Sequence, residues 1–174
     1  MAGLTDDVSR RAAMGLAAAG VASIAAPASG AIRELRLTDL KKEADVACAY
    51  HCDFGDPQRF VQMLTNIAYH YSAYGADPFA LQLAVVAHGP GVKFFLSDLE
   101  GTSWRDEVMV PKILDRVEDV ARNGLKVHLC EITFNRLKLD KAKARNADFI
   151  TFVPSGVAAV AALQSRGFGS MKIG

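Results

Sequence analysis

Apolar residues in this chain fall into two alternating patterns, short continuous runs and longer stretches at helical spacing. Residues 45–54 (DVACAYHCDF) form a small, apolar, near-continuous run, as suits a strand covered on both faces. Asp56 followed by Pro57 is N-cap and first-turn chemistry. Phe60, Met63, Leu64, Ile67, Ala68 and Tyr71 then recur at helical spacing, which predicts a helix over 57–74 ended by Gly75. Residues 79–88 read as a second strand, broken by Gly89-Pro90-Gly91, and 92–99 as a short helical turn. Val108, Ile113, Leu114, Val117 and Val120 predict an amphipathic helix over 105–122, which Pro111 either starts or kinks. Asn123-Gly124 caps it. A third strand over 125–130, a helix over 133–143, a fourth strand over 147–153, a helix ending near 166–167 and a fifth strand over 168–173 complete the pattern. Strand–helix alternation throughout predicts one α/β domain, a three-layer sandwich on a mostly parallel sheet of about five strands.

The amino terminus carries a different signal. Ser9-Arg10-Arg11 precedes an Ala-rich apolar run over 12–26 and then Ala26-Pro27-Ala28, the order of a charged region, an apolar region and a cleavage site. The run is short of the roughly 20 strongly apolar residues that a membrane-spanning helix needs. The paired arginines point to the twin-arginine route, although Ala13 and Met14 stand where bulky residues are usual. The expected organisation is a signal peptide at 1–28, a polar leader at 29–44 anchored by Ile32, Leu35 and Leu37, and the α/β domain at 45–174, located in the periplasm without stable membrane insertion after signal removal.

A formal charge of +1 and the absence of a basic cluster argue against nucleic acid as a partner. Neither a Walker-type loop nor G-x-G-x-x-G occurs, so no nucleotide cofactor is expected. The three cysteines are odd in number, so a monomer keeps at least one unpaired. In an oxidising compartment such a thiol must be shielded or used.

Cys130 is the thiol with a chemical address. It ends the third strand where helix-start chemistry begins, and an open α/β sheet places its reactive groups at such an edge. Helix N–H groups there favour thiolate over thiol. The alternative is a buried cysteine acting as a small hydrophobe. Cys48, His51 and Cys52 recur closely, but on a strand Cys48 and Cys52 stand about 13 Å apart while His51 points to the other face. Those three residues cannot share one tetrahedral ion, and no metal site is expected. His88, ahead of Gly89-Pro90-Gly91, reads either as a strand-end histidine or as part of a ligand-approaching loop. Asp53 and Asp56 read as turn and N-cap residues. Tyr69, His70, Tyr71 and Tyr74 cover two faces of the first helix, one facing the core and one available for subunit contact, and Trp104 is a further interface candidate.

Several segments resemble the DsrE/DsrF-like, or YchN-like, family. They are Asp53-Phe54-Gly55-Asp56, Val86-Ala87-His88-Gly89-Pro90-Gly91-Val92, Gly124 through Thr133, Phe152-Val153-Pro154-Ser155-Gly156-Val157, and Leu163-Gln164-Ser165-Arg166-Gly167-Phe168. The resemblance covers residues 45–173 and implies a flavodoxin-like, YchN-like topology. It also implies sulfur relay, with sulfur carried as a cysteine persulfide on Cys130, and assembly as a homo-oligomeric trimer or hexamer that exchanges sulfur with a protein thiol partner. Cys52 and His88 are the candidate helpers of Cys130; Arg136, Lys138 and His128 are weaker ones. In a flavodoxin-like order the first and third strands are neighbours, which would bring Cys52 and Cys130 towards the roughly 4.4–6.8 Å Cα separation of a disulfide. The family's relay proteins act in the cytoplasm, so the export signal here suggests a periplasmic relative. No cofactor is expected on this reading. The other reading is a non-catalytic oligomeric binding or assembly protein with a structural Cys130, taking a small ligand, a metal or heme, with His51, His88 or His128 as ligands.

Overall fold

The continuous apolar runs become five strands: β1 Val46–Cys52, β2 Leu81–Ala87, β3 Lys126–Cys130, β4 Ile150–Val153 and β5 Gly169–Lys172. They form one sheet in which every pairing is parallel, in the order β4-β3-β2-β1-β5. This computed structural model describes residues 31–107 and 111–174, so the signal peptide expected at 1–28 lies outside the described residues.

The helices are α1 Pro57–Ala73, α2 Pro111–Ala121, α3 Glu131–Leu137 and α4 Gly156–Ser165. Asp56 caps α1 by accepting a hydrogen bond from the Arg59 N–H at 2.7 Å, and Ser155 caps α4 in the same manner from Ala158 at 3.3 Å. α2 is described from Pro111 onward, and residues 108–110, on which the choice between a start and a kink at that proline depends, lie outside the described residues. The helix expected over 133–143 divides: Lys138 takes a left-handed conformation (φ 53°) and ends α3. Asp140 then caps a separate 3-10 turn, Lys141–Lys143, through the Ala142 N–H at 2.9 Å.

The chain steps from β1 to β4 in one direction, and then returns across the whole sheet to place β5 beside β1. Right-handed crossovers in opposite directions put their helices on opposite faces. Residues of α1, α2 and α3 accordingly share one core with Tyr50, Leu83, Val85, Val127 and Phe152. α4 lies on the other face, where Ala159 and Leu163 pack against Ala47, Ala49, Ala84, Val86 and Val153. Small residues on this face let the helix lie close to the strands.

The order corrects one expectation. β2 separates β1 from β3, so the two strands are not neighbours and Cys52 does not meet Cys130; all three cysteines are free. The polar leader is also part of the sheet's edge. The Leu35 N–H donates to the Phe152 carbonyl at 2.8 Å, and the Phe152 N–H donates to the Arg33 carbonyl at 2.9 Å, laying the leader along β4. Ile32 reaches the α1-side core, while Leu35 and Leu37 reach the α4-side core. No helix among the described residues is long and apolar enough to cross a membrane.

Candidate functional site

Alternation along the strands decides which chemistry meets. His51, His128 and Cys130 occupy strand positions whose side chains point to the α4 face, and His88 continues that side just past β2. Cys52, one residue from His51, points the other way. It is fully buried against the 3-10 turn Gly89–Phe95, with Sγ 4.0 Å from the Gly91 carbonyl oxygen. Burial pushes its thiol up, and Cys48, buried in mid-strand on that same face, is pushed up for the same reason. The structure therefore brings His88 next to Cys130 and leaves Cys52 on the far side of the sheet, which removes Cys52 as a helper.

Gly156, the first residue of α4, is the element that joins His88 to Cys130. A Cβ there would lie 2.8 Å from His88 Cβ and 3.1 Å from both His88 Cδ2 and Cys130 Cβ. Only glycine lets the α4 amino terminus approach this closely, so the positive end of that helix dipole sits against the cysteine. Cys130 itself is the N-cap residue of α3, in extended conformation, with no side-chain cap hydrogen bond; it is 4% exposed. Next to it Glu131 pairs with Lys141 at 2.6 Å, and Lys141 also pairs with Glu34 of the leader at 2.5 Å.

The His88 loop is held from two sides. Gly89, at φ 53°, donates its N–H to Thr133 Oγ1 of α3 at 2.9 Å. Gly91 packs on the backbone of Cys52, where a Cβ would stand 2.1 Å from the carbonyl oxygen. His88 turns its Nε2 away from the cysteine towards His51 Nε2, 2.5 Å distant. Burial, followed by the neighbouring His51, lowers the His88 pKa, so its imidazole is neutral near pH 7. Asp53 lies beside this pair and binds Lys172 of β5 at 2.9 Å. Burial works to raise the Asp53 pKa, but Lys172 and His51 together hold it below the usual carboxylate range.

His128 does not join them. Its Nδ1 meets Thr151 Oγ1 at 2.8 Å, and the Thr151 hydroxyl also lies 3.3 Å from the Val127 carbonyl oxygen. Burial, with Lys126 and Arg33 adding to it, lowers the His128 pKa to about 4. Between that value and the unfolded value near 6.5, the unfolded chain binds a proton that the folded chain refuses. Stability from this group is complete above about pH 6.5 and falls as pH drops towards 4, at up to about 1.4 kcal/mol per pH unit. Urea midpoints measured at pH 7 and pH 5 should show that loss in the wild type, and a reduced acid slope in His128→Gln.

Arg136 lines a separate cleft of about 360 Å³ with Gly89, Pro90, Trp104, Thr133 and Leu137. Lys138 is the C-cap of α3. On α1, Tyr71 is core, Tyr69 is exposed, and the Tyr50 hydroxyl meets His70 Nδ1 at 3.1 Å. Asp53 was legible only as a turn residue, yet His51-x-Asp53 at a strand end puts both side chains on one side. That spacing, with a histidine ending the next strand, is the signal that would have found the group.

A parallel α/β sheet whose carboxyl edge carries a buried cysteine and a histidine against one helix amino terminus, with a second histidine and a carboxylate beside them, defines a class of protein. The chain belongs to the DsrE/DsrF-like family, whose pattern matches residues 54–172. Its fold is similar to that of the protein of unknown function MTH1491 from Methanobacterium thermoautotrophicum. The TM-score is 0.57 at 17% sequence identity, over 74% of this chain and 99% of that one. Comparison with curated proteins gives no match.

Proposed function

We propose that this protein is a sulfur carrier that holds sulfur as a persulfide on Cys130 and passes it to a thiol of a partner protein. The observation that carries this reading is the position of Cys130, at the carboxyl end of β3 with Gly156 of α4 against its Cβ. The helix dipole stabilises negative charge on sulfur, whether thiolate or persulfide anion.

The exchange balances without an external oxidant. Cys130 thiolate attacks the terminal sulfur of a donor persulfide, the new S–S bond forms, the donor's S–S bond breaks, and the donor leaves as a thiolate. The acceptor thiol repeats the step on the Cys130 persulfide. Burial of Cys130 shields the loaded sulfur from oxidants between transfers.

Incubation with a low-molecular-weight persulfide followed by intact-mass analysis should add one sulfur atom per chain, and peptide mapping should place it on Cys130. A chain that accepts none, or that carries it on Cys48 or Cys52, refutes the proposal.

Two further elements complete the reading. The Arg10-Arg11 motif and the Ala-rich run after it support twin-arginine export and a periplasmic place of action. Self-association through α4 is the second. That helix is apolar on every side, yet Val157 is 66% exposed, and a helix of this kind is ordinarily covered. Sedimentation of the mature chain should give a homo-oligomer, and Val157→Lys should shift it towards the monomer.

A further inference from the structure

We infer that His51, His88 and Asp53 form a binding site for a divalent metal ion of the zinc class, with one coordination position left for water or an anion. One donor atom from each of the three residues lies within 4.8 Å of the other two. All three are half-buried and come from the ends of adjacent parallel strands, so the sheet itself fixes their spacing.

The histidine pair is the main argument. The two Nε2 atoms face one another at 2.5 Å, with ring centroids 4.7 Å apart and planes tilted by 42°. The tilt removes flat stacking as an explanation, so the contact is one between ring nitrogens. The contact aims both Nε2 atoms into one space, where they share a proton, and a cation replaces that proton when the pair opens. At zinc–ligand distances of about 2.0–2.2 Å, tetrahedral donors stand about 3.3–3.5 Å apart. Opening the histidine pair by about 1 Å and drawing in Asp53, whose donor atom lies within 4.8 Å of both nitrogens, takes only side-chain rotations of these residues.

The surroundings agree with this assignment. Strand order reverses between β1 and β5, and ligands of open α/β sheets collect at the carboxyl edge near such a reversal. Lys172 of β5 now supplies the positive charge beside Asp53; its side chain is 61% exposed, so a metal ion can displace it into solvent. Two imidazoles and a carboxylate suit zinc and its first-row neighbours, and three protein donors are the set found where a metal keeps an open position. No thiol belongs to the set: Cys48 and Cys52 face the opposite core, and Cys130 stands beyond Gly156. Metal binding here thus needs no cysteine as a ligand.

Chelator-treated protein titrated with Zn²⁺ against a chromophoric chelator of micromolar affinity tests it. One Zn²⁺ should bind per chain, with affinity at least about tenfold weaker in Asp53→Asn and lost in His51→Ala and His88→Ala. Cys130→Ser should bind as the wild type does. Long-range ¹H–¹⁵N spectra of the wild type should show the Nε2 resonances of His51 and His88 moving on zinc addition, a readout that does not depend on how the variants fold. Absence of binding to the wild type overturns the inference. So does binding that both histidine variants retain, or that only Cys130→Ser loses.

Discussion

Cys130→Ser is expected to take up no sulfur under conditions that load the wild-type chain completely. Sulfur exchange needs a thiolate stabilised by its surroundings, such as a helix amino terminus, and neither remaining cysteine supplies one. Cys52 is fully buried against the Gly91 carbonyl, and Cys48 sits in mid-strand with β2 on one side and β5 on the other. Burial raises the pKa of both thiols, so each stays protonated at neutral pH. The substitution should leave the fold intact. Cys130 is the N-cap of α3 in extended conformation without a capping hydrogen bond, and serine is among the preferred residues for that position. Intact mass before and after treatment with a persulfide donor, beside an unchanged urea midpoint, checks both halves of the expectation. Residual loading on another cysteine would show that the edge position of Cys130 is not what makes it the carrier.

Gly91→Ala should destabilise the protein by about 3 kcal/mol, a large effect for one methyl group. The added Cβ would stand 2.1 Å from the Cys52 carbonyl oxygen, 2.8 Å from its carbonyl carbon and 2.9 Å from its Sγ. Two of those atoms are backbone at the end of β1, so no side-chain rotation relieves the contact. Either the 3-10 turn or the strand end must move. Gly169→Ala is the control, since a Cβ there meets the Ala47 carbonyl oxygen at 3.7 Å and Cys48 Sγ at 3.9 Å, both ordinary contacts. Urea denaturation of the two variants should separate them clearly; equal midpoints would mean the turn accommodates the methyl at no cost. Because His88 opens the same turn, Gly91→Ala should also disturb the histidine pair.

Much of the fold was legible because its signals are local. Asp56-Pro57 starts α1 by capping chemistry, and the helical spacing from Phe60 to Tyr71 places those residues in the core. The reading failed in two ways, once on local backbone choices and once on a contact far along the chain. The helix expected over 133–143 ends at Leu137 because Lys138 turns left-handed and Asp140 caps a new turn, two backbone choices that apolar periodicity does not encode. The leader read as a polar connector, yet Arg33 and Leu35 hydrogen-bond to Phe152, far along the chain. The same distinction governs the candidate site. Cys130 stood out because the end of an apolar run is visible in one segment, whereas the partnership of His51, Asp53 and His88 needs two strands in register.

By itself the sequence determined the elements, their alternation and the parallel three-layer class, since capping, periodicity and run length are properties of neighbours along the chain. It also marked Cys130 as the end of a strand. Strand order was decided only in three dimensions, because the last strand could add at either edge and its packing beside β1 depends on the whole sheet. That one choice sends α4 across the second face, sets Gly156 between His88 and Cys130, and puts β2 between the two cysteines that a different order would have joined.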